Sequence, residues 1–155
     1  NNVLEATLKL LTADTVPPSI TVKRQLGKGL PKVTIDPEQL KQVLINLVLN
    51  AVQAMPKGGE LTFTSALNRE ITGELKDATT LQRVHAVVRV HDTGEGIRPE
   101  DLPRVFLPFF TTRPTGTGLG LAVVRRIVEG HGGTITLGKP PVGAEFHLRL
   151  PLQGE

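Results

Sequence analysis

Three glycines on alternate positions, in Gly116-Thr117-Gly118-Leu119-Gly120-Leu121, constrain this chain more than any other stretch. Glycine has no Cβ, so the backbone can turn tightly there or come close against another surface. An apolar helical run, residues 122–128, follows at once. A helix that starts on such a turn offers unpaired N–H groups and the positive end of its dipole, which together suit an anion. The same pattern also serves plain tight packing, so by itself it leaves a phosphate site and a packing device both open.

A chain of 155 residues has room for one domain with a real core. The formal charge of +3 is too small to argue for nucleic acid or a membrane surface, and no basic run stands out. With no cysteine, disulfides and thiolate metal sites are excluded. His85, His91, His131 and His147 are scattered without ligand spacing, which argues against zinc. No apolar run reaches the length of a membrane span, and the start carries no signal pattern. The chain opens at Asn1 directly in helical periodicity, so it reads as a piece of a longer protein with residues 1–155 forming one domain.

Asp36-Pro37-Glu38-Gln39 predicts a helix start. Asp36 can cap, Pro37 suits the first helical position, and Gln39 stands where a capping box needs it. The helix should run to about Met55, before Pro56 and Gly58-Gly59. Leu40, Val43, Leu44, Leu47, Val48 and Ala51 form its core stripe, and Ile45, Leu49 and Val52 widen it toward nearly complete burial. Gln42, Asn46, Asn50 and Gln53 stack on one narrow polar face. Unpaired buried amides cost about 1–3 kcal/mol each, so the two asparagines need partners: neighbouring backbone, water or a ligand.

Elsewhere the pattern predicts a helix before Thr15, strands at Ile20–Val22, Val33–Ile35, Leu61–Thr64 and Val84–Val90, and two closing strands at 134–137 and 144–150. Residues 68–82 are polar with a central Gly73 and read as a long exposed connection. Asp92 ends a buried strand beside Gly94 and Gly96, which puts a carboxylate at a sheet rim. It can accept from an exocyclic amine such as adenine's, or simply bond its own backbone in an Asx-turn. Phe106, Phe109 and Phe110 are three of the five aromatic residues, suited to a core or to anchoring the segment 111–115. Strands and helices come in runs, which argues for an α+β, two-layer α/β sandwich: a mixed, mostly antiparallel sheet with about three helices on one face.

Four segments in fixed order then carry a resemblance. Asn46 to Ala51 looks like an N box, Asp92 to Gly96 a G1 box, Phe106 to Phe110 an F box, and Gly116 to Gly120 a G2 box. The chain resembles the ATP-binding catalytic domain of bacterial sensor histidine kinases, the Bergerat fold shared with DNA gyrase and heat-shock chaperones. Its short lid is similar to that of nitrogen-regulation-type sensors. The resemblance implies ATP and Mg²⁺ as cofactors. Asn50 would hold the metal and Asn46 would support the metal or phosphate side. Asp92 would take the adenine amine, with Gly94, Gly96 and Ile97 forming that wall. Residues 106–115 would form a lid that brings Phe106, Thr111, Thr112, Arg113 and Thr115 to the nucleotide, with Arg113 reaching the γ-phosphate. Gly116, Thr117, Gly118 and Gly120 would give the hinge and phosphate-facing backbone, and Leu119 and Leu121 would pack the following helix.

The implied partners are a dimerisation and phosphoacceptor histidine domain of the same protein, which would precede residues 1–15, and a downstream response regulator. Neither nucleic acid nor direct membrane contact is implied. The piece alone would be a monomer, its parent a homodimer, and the domain cytoplasmic because ATP is there. No P-loop signature offers a different ATP site. In hydrolysing relatives a glutamate one turn before the metal asparagine activates water. Here that position is Asn46, and an amide takes no proton near neutral pH, so hydrolysis by the piece should be weak. Two other readings stay open on the sequence: a regulatory nucleotide-binding module, and a serine/threonine-directed relative.

Overall fold

The computed structural model describes residues 1–74 and 80–153, with side chains except at 71–74 and 80–82. Helix α1 (Asn2–Asp14) leads to strand β1 (Ile20–Leu26), helix α2 (Pro37–Ala54), and strands β2 (Gly59–Glu74) and β3 (Thr80–Asp92). A short 3₁₀ turn (Pro99–Asp101), helix α3 (Gly120–Gly130) and strands β4 (Thr134–Leu137) and β5 (Ala144–Pro151) follow. The sheet order is β1-β2-β3-β5-β4, with β1 parallel to β2 and every other pairing antiparallel. The expected sandwich is therefore present.

The two layers meet along α2. Val43, Leu44, Leu47, Val48 and Ala51 repeat at helical spacing and are buried. In the same core the sheet contributes Leu61 and Phe63 from β2, Val88 and Val90 from β3, and Phe146 and Leu148 from β5. Along each strand these residues alternate with outward ones, the period-2 pattern of a half-covered sheet. α1 adds Leu4 and Leu8, and α3 adds Val124 and Val128, both helices packing on α2.

At the start of α2 the Asp36 carboxylate accepts from the N–H groups of Glu38 (2.8 Å) and Gln39 (3.1 Å). The reciprocal half of a capping box is not made. The Asp36 N–H instead donates to His131 Nε2 (3.2 Å), while His131 Nδ1 lies 2.8 Å from the Ile127 carbonyl. An imidazole can serve both contacts as donor on Nδ1 and acceptor on Nε2. His131 thus fastens the end of α3 to the start of α2.

Three expectations need correction. Residues 68–74 and 80–82 are strand, paired as the outer part of the β2–β3 hairpin, and residues 75–79 lie outside the described residues. β5 stops at the pair His85↔Pro151, so this outer ladder extends past the rest of the sheet. A ladder with no layer over it needs no apolar alternation, and the sequence therefore shows none. Second, Val33–Ile35 forms only an isolated bridge, Val33 to Leu152. Pro31 and the Asp36-Pro37 helix start leave too little free backbone for a strand. Third, α2 is less buried than its apolar content suggests, because Leu49 stays 39% exposed on an open flank. Among the described residues no helix is long and apolar enough to cross a membrane.

The core predicts unequal costs for leucine truncation. Leu44→Ala should destabilise by about 2–5 kcal/mol, since it empties a fully buried site. Leu10→Ala, at an exposed position of α1, should change stability by less than about 0.5 kcal/mol. Denaturant unfolding measures both, and equal losses would contradict the layer assignment.

Candidate functional site

A cleft of about 670 Å³ opens where the flank of α2, the turn after β3, the segment 110–118 and the start of α3 converge. That size suits a small-molecule ligand. Its floor includes Leu49 and Ala54 of α2, Ile97 and Ala144, and its rim is polar.

Asp92 stands at one end, buried where β3 leaves the sheet. Its Oδ1 accepts from the Gly94 N–H (2.9 Å), an Asx-turn, and more weakly from the Ala144 N–H (3.4 Å). No hydrogen bond reaches Oδ2 among the described residues, so the carboxylate keeps acceptor capacity on the cleft that it lines. Burial raises its pKa above the ordinary carboxylate value, opposed by the Gly94 and Ala144 N–H groups and by His91 and Arg113 nearby. The two glycines of this turn have steric reasons of their own. A Cβ on Gly94 would strike the Ala54 carbonyl at the end of α2, and Gly96 holds φ +75° against Gly143.

At the other end α2 presents its polar face. Asn46 is engaged at both ends of its amide: its Oδ1 accepts from Gln42 Nε2 (3.1 Å) and its Nδ2 donates to the Gly120 carbonyl (3.3 Å). It thereby ties α2 to the start of α3. One turn on, Asn50 Oδ1 accepts from the Arg113 guanidinium (3.4 Å), which also pairs with Glu95 (3.2 Å). The Thr111 hydroxyl closes a local turn with the Arg113 backbone and so sets where that side chain starts.

The segment from Phe106 is anchored at its beginning and strained in its middle. Phe106 sits edge-on to Phe146 with centroids 6.2 Å apart, and Phe110 lies under the Arg104 guanidinium at 5.0 Å. Phe109 is 77% exposed and has φ +67°. Its N–H donates to the Gly118 carbonyl (2.8 Å). Gly118 is itself at φ +71°, and a Cβ there would run into the Phe109 backbone. A Cβ on Gly116 would meet the Thr111 hydroxyl, whereas one on Gly120 would meet nothing within 4 Å.

Of the residues singled out from sequence, the cleft brings together Asn46, Asn50, Asp92, Gly96, Ile97 and Arg113. Thr111, Thr112, Thr115, Gly116, Thr117, Gly118, Gly120 and Leu121 line it as well. Gly94, Phe106 and Leu119 do not. Gly94 and Phe106 act behind the wall. Leu119 was expected to pack α3, but it is the exposed residue just before the helix, where its N–H donates to the Thr117 hydroxyl. Sequence reasoning missed Glu95, Arg98, Asp101 and Phe110 as lining residues. Asp101 is buried between Arg98 (3.0 Å) and Arg104 (2.8 Å). The spacing of three in Arg98, Asp101 and Arg104 was the available signal.

The family of histidine kinase-, DNA gyrase B- and HSP90-like ATPases matches residues 35–154. The chain belongs to that family. As a member of this ATPase family it is an ATP-binding domain. It is similar to the sensor histidine kinase ZraS of Klebsiella oxytoca, 39% identical across 100% of this chain and 31% of ZraS. The sensory histidine kinase/phosphatase NtrB of Salmonella typhimurium is 35% identical over 99% of this chain and 43% of NtrB. Among solved structures, the catalytic domain of the histidine kinase ThkA superposes with a TM-score of 0.78 at 30% identity, covering 98% of this chain and 91% of that one. The chain thus spans about a third of the length of ZraS and less than half of NtrB.

The glycines of this ATPase-family segment should respond differently to alanine. Gly118→Ala forces a left-handed residue and a backbone clash, and should cost at least about 1–2 kcal/mol. Gly120→Ala fits the helix start and should be neutral or stabilise by up to about 1 kcal/mol. Thermal unfolding of both variants tests this, and a destabilised Gly120→Ala would contradict the packing described.

Proposed function

We propose that this domain holds Mg-ATP in the cleft and presents the γ-phosphoryl group to a histidine on a separate dimerisation and phosphoacceptor domain, in two-component signalling. The observation that carries this reading is the convergence, in one cleft, of a carboxylate with spare acceptor capacity, an amide oxygen already facing a cation, and a helix start with open space at Gly120. The similar full-length kinase ShkA, 28% identical over 97% of this chain, has been solved in complex with AMPPNP, which supports the choice of nucleotide. On this reading the chain is one catalytic domain of a longer protein. α1 then continues from the phosphoacceptor domain, the parent is a homodimer, and a response regulator takes the phosphoryl group onward. The domain works in the cytoplasm, the compartment that supplies ATP.

Each residue has a task set by its chemistry. Asp92 accepts from the adenine amine and thereby selects adenine over guanine, which presents an acceptor at that position. Gly96 and Ile97 form the wall beside the base. Asn50 offers the hard oxygen that Mg²⁺ prefers, and a single such ligand fits an ion that keeps several waters. Mg²⁺ held by Asn50 would supply positive charge that offsets the phosphates. The backbone around Gly118 and Gly120, with Thr111, Thr112 and Thr115, faces the phosphates, and the N-terminus of α3 adds its dipole. Gly120 fits this role because nothing in the protein requires a glycine there. Arg113 supplies positive charge for the γ-phosphoryl group as transfer proceeds. Asn46 cannot act as a base, since an amide binds no proton near neutrality. Hydrolysis by the domain alone is therefore slow.

Calorimetry with ATP and Mg²⁺, followed by incubation with a phosphoacceptor domain, tests the reading as a whole. Binding with little turnover alone and phosphohistidine only with the second domain is expected. Binding without transfer to any histidine domain would favour a regulatory module. Asn50→Ala should remove the Mg²⁺ dependence of binding, and retained dependence would move the metal elsewhere.

The raised pKa of Asp92 gives a pH signature. The adenine amine needs the ionised acceptor, so affinity should fall on acidification through that raised value, at higher pH than an ordinary aspartate would allow. For stability the sign is opposite. The folded chain binds this proton more tightly than the unfolded one, so ionised Asp92 costs stability above its raised value, and the cost disappears as pH drops below the unfolded value. Asp92→Asn keeps an oxygen for the Gly94 and Ala144 N–H groups but turns donors toward the base. It should fold normally, bind ATP weakly, and lose this pH dependence. Unchanged ATP affinity in Asp92→Asn would remove Asp92 from the site.

A further inference from the structure

Arg113 and Asn50 have a relation that the binding reading does not use. The oxygen assigned to the metal, Asn50 Oδ1, accepts a hydrogen bond from Arg113 (3.4 Å), and a second amino group of the same guanidinium pairs with Glu95 (3.2 Å). Glu95 lies in the turn between Gly94 and Gly96, where its N–H donates to the Ala54 carbonyl (3.2 Å) at the end of α2. The turn therefore holds the carboxylate on a fixed base, beside the helix that carries Asn50. Positive charges on one oxygen repel, so a divalent ion taken by Asn50 Oδ1 would push the guanidinium away from it. With one amino group on Asn50 and the other on Glu95, Arg113 also has fewer donors left for a γ-phosphoryl group.

We propose that Glu95 is a positioning residue that parks Arg113 on Asn50, so that metal and phosphate must exchange places with the guanidinium before Arg113 can act on the phosphoryl group. This rests on the assignment of the cleft to Mg-ATP. The Arg113 side chain is 26% exposed and Glu95 59% exposed, so their pair is partly screened by water and weak enough to be displaced. A deeply buried pair would hold Arg113 against any ligand. The residues around this contact carry little competing charge. Asp92 interacts with Arg113 through space, and Asp101 is already committed to Arg98 and Arg104.

Calorimetry of Mg-ATP and of adenosine on the wild-type domain, Glu95→Gln, Arg113→Ala and the double variant tests the proposal. Glu95→Gln should tighten Mg-ATP about two- to fivefold, the range of a partly exposed ion pair, and leave adenosine unchanged. In the Arg113→Ala background the same substitution should have no effect. A gain that persists there would mean that Glu95 simply repels phosphate, and no gain in the wild-type background would also overturn the proposal. An equal gain for adenosine would locate the effect in the base-side turn. The Arg113 Nε–H relaxation in the domain without added nucleotide gives a second readout: ordered in the wild type, mobile in Glu95→Gln. If ATP fails to bind at all, the assignment of the cleft falls, while equal Arg113 mobility in both proteins would separately sink the parking contact.

Discussion

Burial of one stripe of α2 against the middle of the sheet is the constraint from which the rest follows. Val43, Leu44, Leu47 and Val48 are removed from water over Phe63, Phe146 and Leu148. Each such side chain contributes about 1.5–3 kcal/mol, so rotation of the helix about its axis is strongly opposed. With the stripe fixed, the period of 3.6 residues leaves no choice for the positions between. Asn46, Asn50 and Gln53 must come out along one flank, and that flank is the wall of the cleft. The polar edge of the site is therefore a geometric consequence of the core.

The same burial explains what could be read in the sequence and what could not. The α2 stripe and the strands 134–137 and 144–150 were legible because burial on one face imposes a period, whereas the four segments 46–51, 92–96, 106–110 and 116–120 were legible through their resemblance to a family. The outer β2–β3 hairpin was not, because a ladder beyond the rest of the sheet has no buried face to impose one. Leu49 was misplaced for the opposite reason. Apolar character told of removal from water, but the wall of a ligand cleft and the inside of a core call for the same residue type. Leu119 carried the same ambiguity: an apolar residue one position before a helix has no face of that helix to occupy.

Charged lining residues were the hardest to foresee. Glu95 and Asp101 reach the cleft through contacts that join distant segments or a single turn, and single-residue patterns do not encode partners. Asp101 is the clearer case. A carboxylate that is buried is tolerable only when paired, and here two guanidinium groups share it, one of them stacked on Phe110. The chain Asp101–Arg104–Phe110 thereby links a buried charge to the wall of the cleft, so an electrostatic requirement at Asp101 fixes an aromatic ring farther along the same connection.

Phe109 shows how the segment over the site is held. A non-glycine residue at φ +67° costs about 1–3 kcal/mol, and with its ring exposed it gains little from burial in return. Such a conformation persists only where the surroundings over-determine it. Here the Phe109 N–H is tied to the Gly118 carbonyl, and Gly118 can come that close only because it has no Cβ. Phe106 fixes the segment in the core on one side, and α3 fixes Gly118 on the other. The residues between, which include Thr111 to Thr117, are thus closed into a loop whose two ends meet. That arrangement lets Arg113 change partners without unfolding its anchors, because the strain and the hydrogen bond that define the neck of the loop lie outside the part that must move.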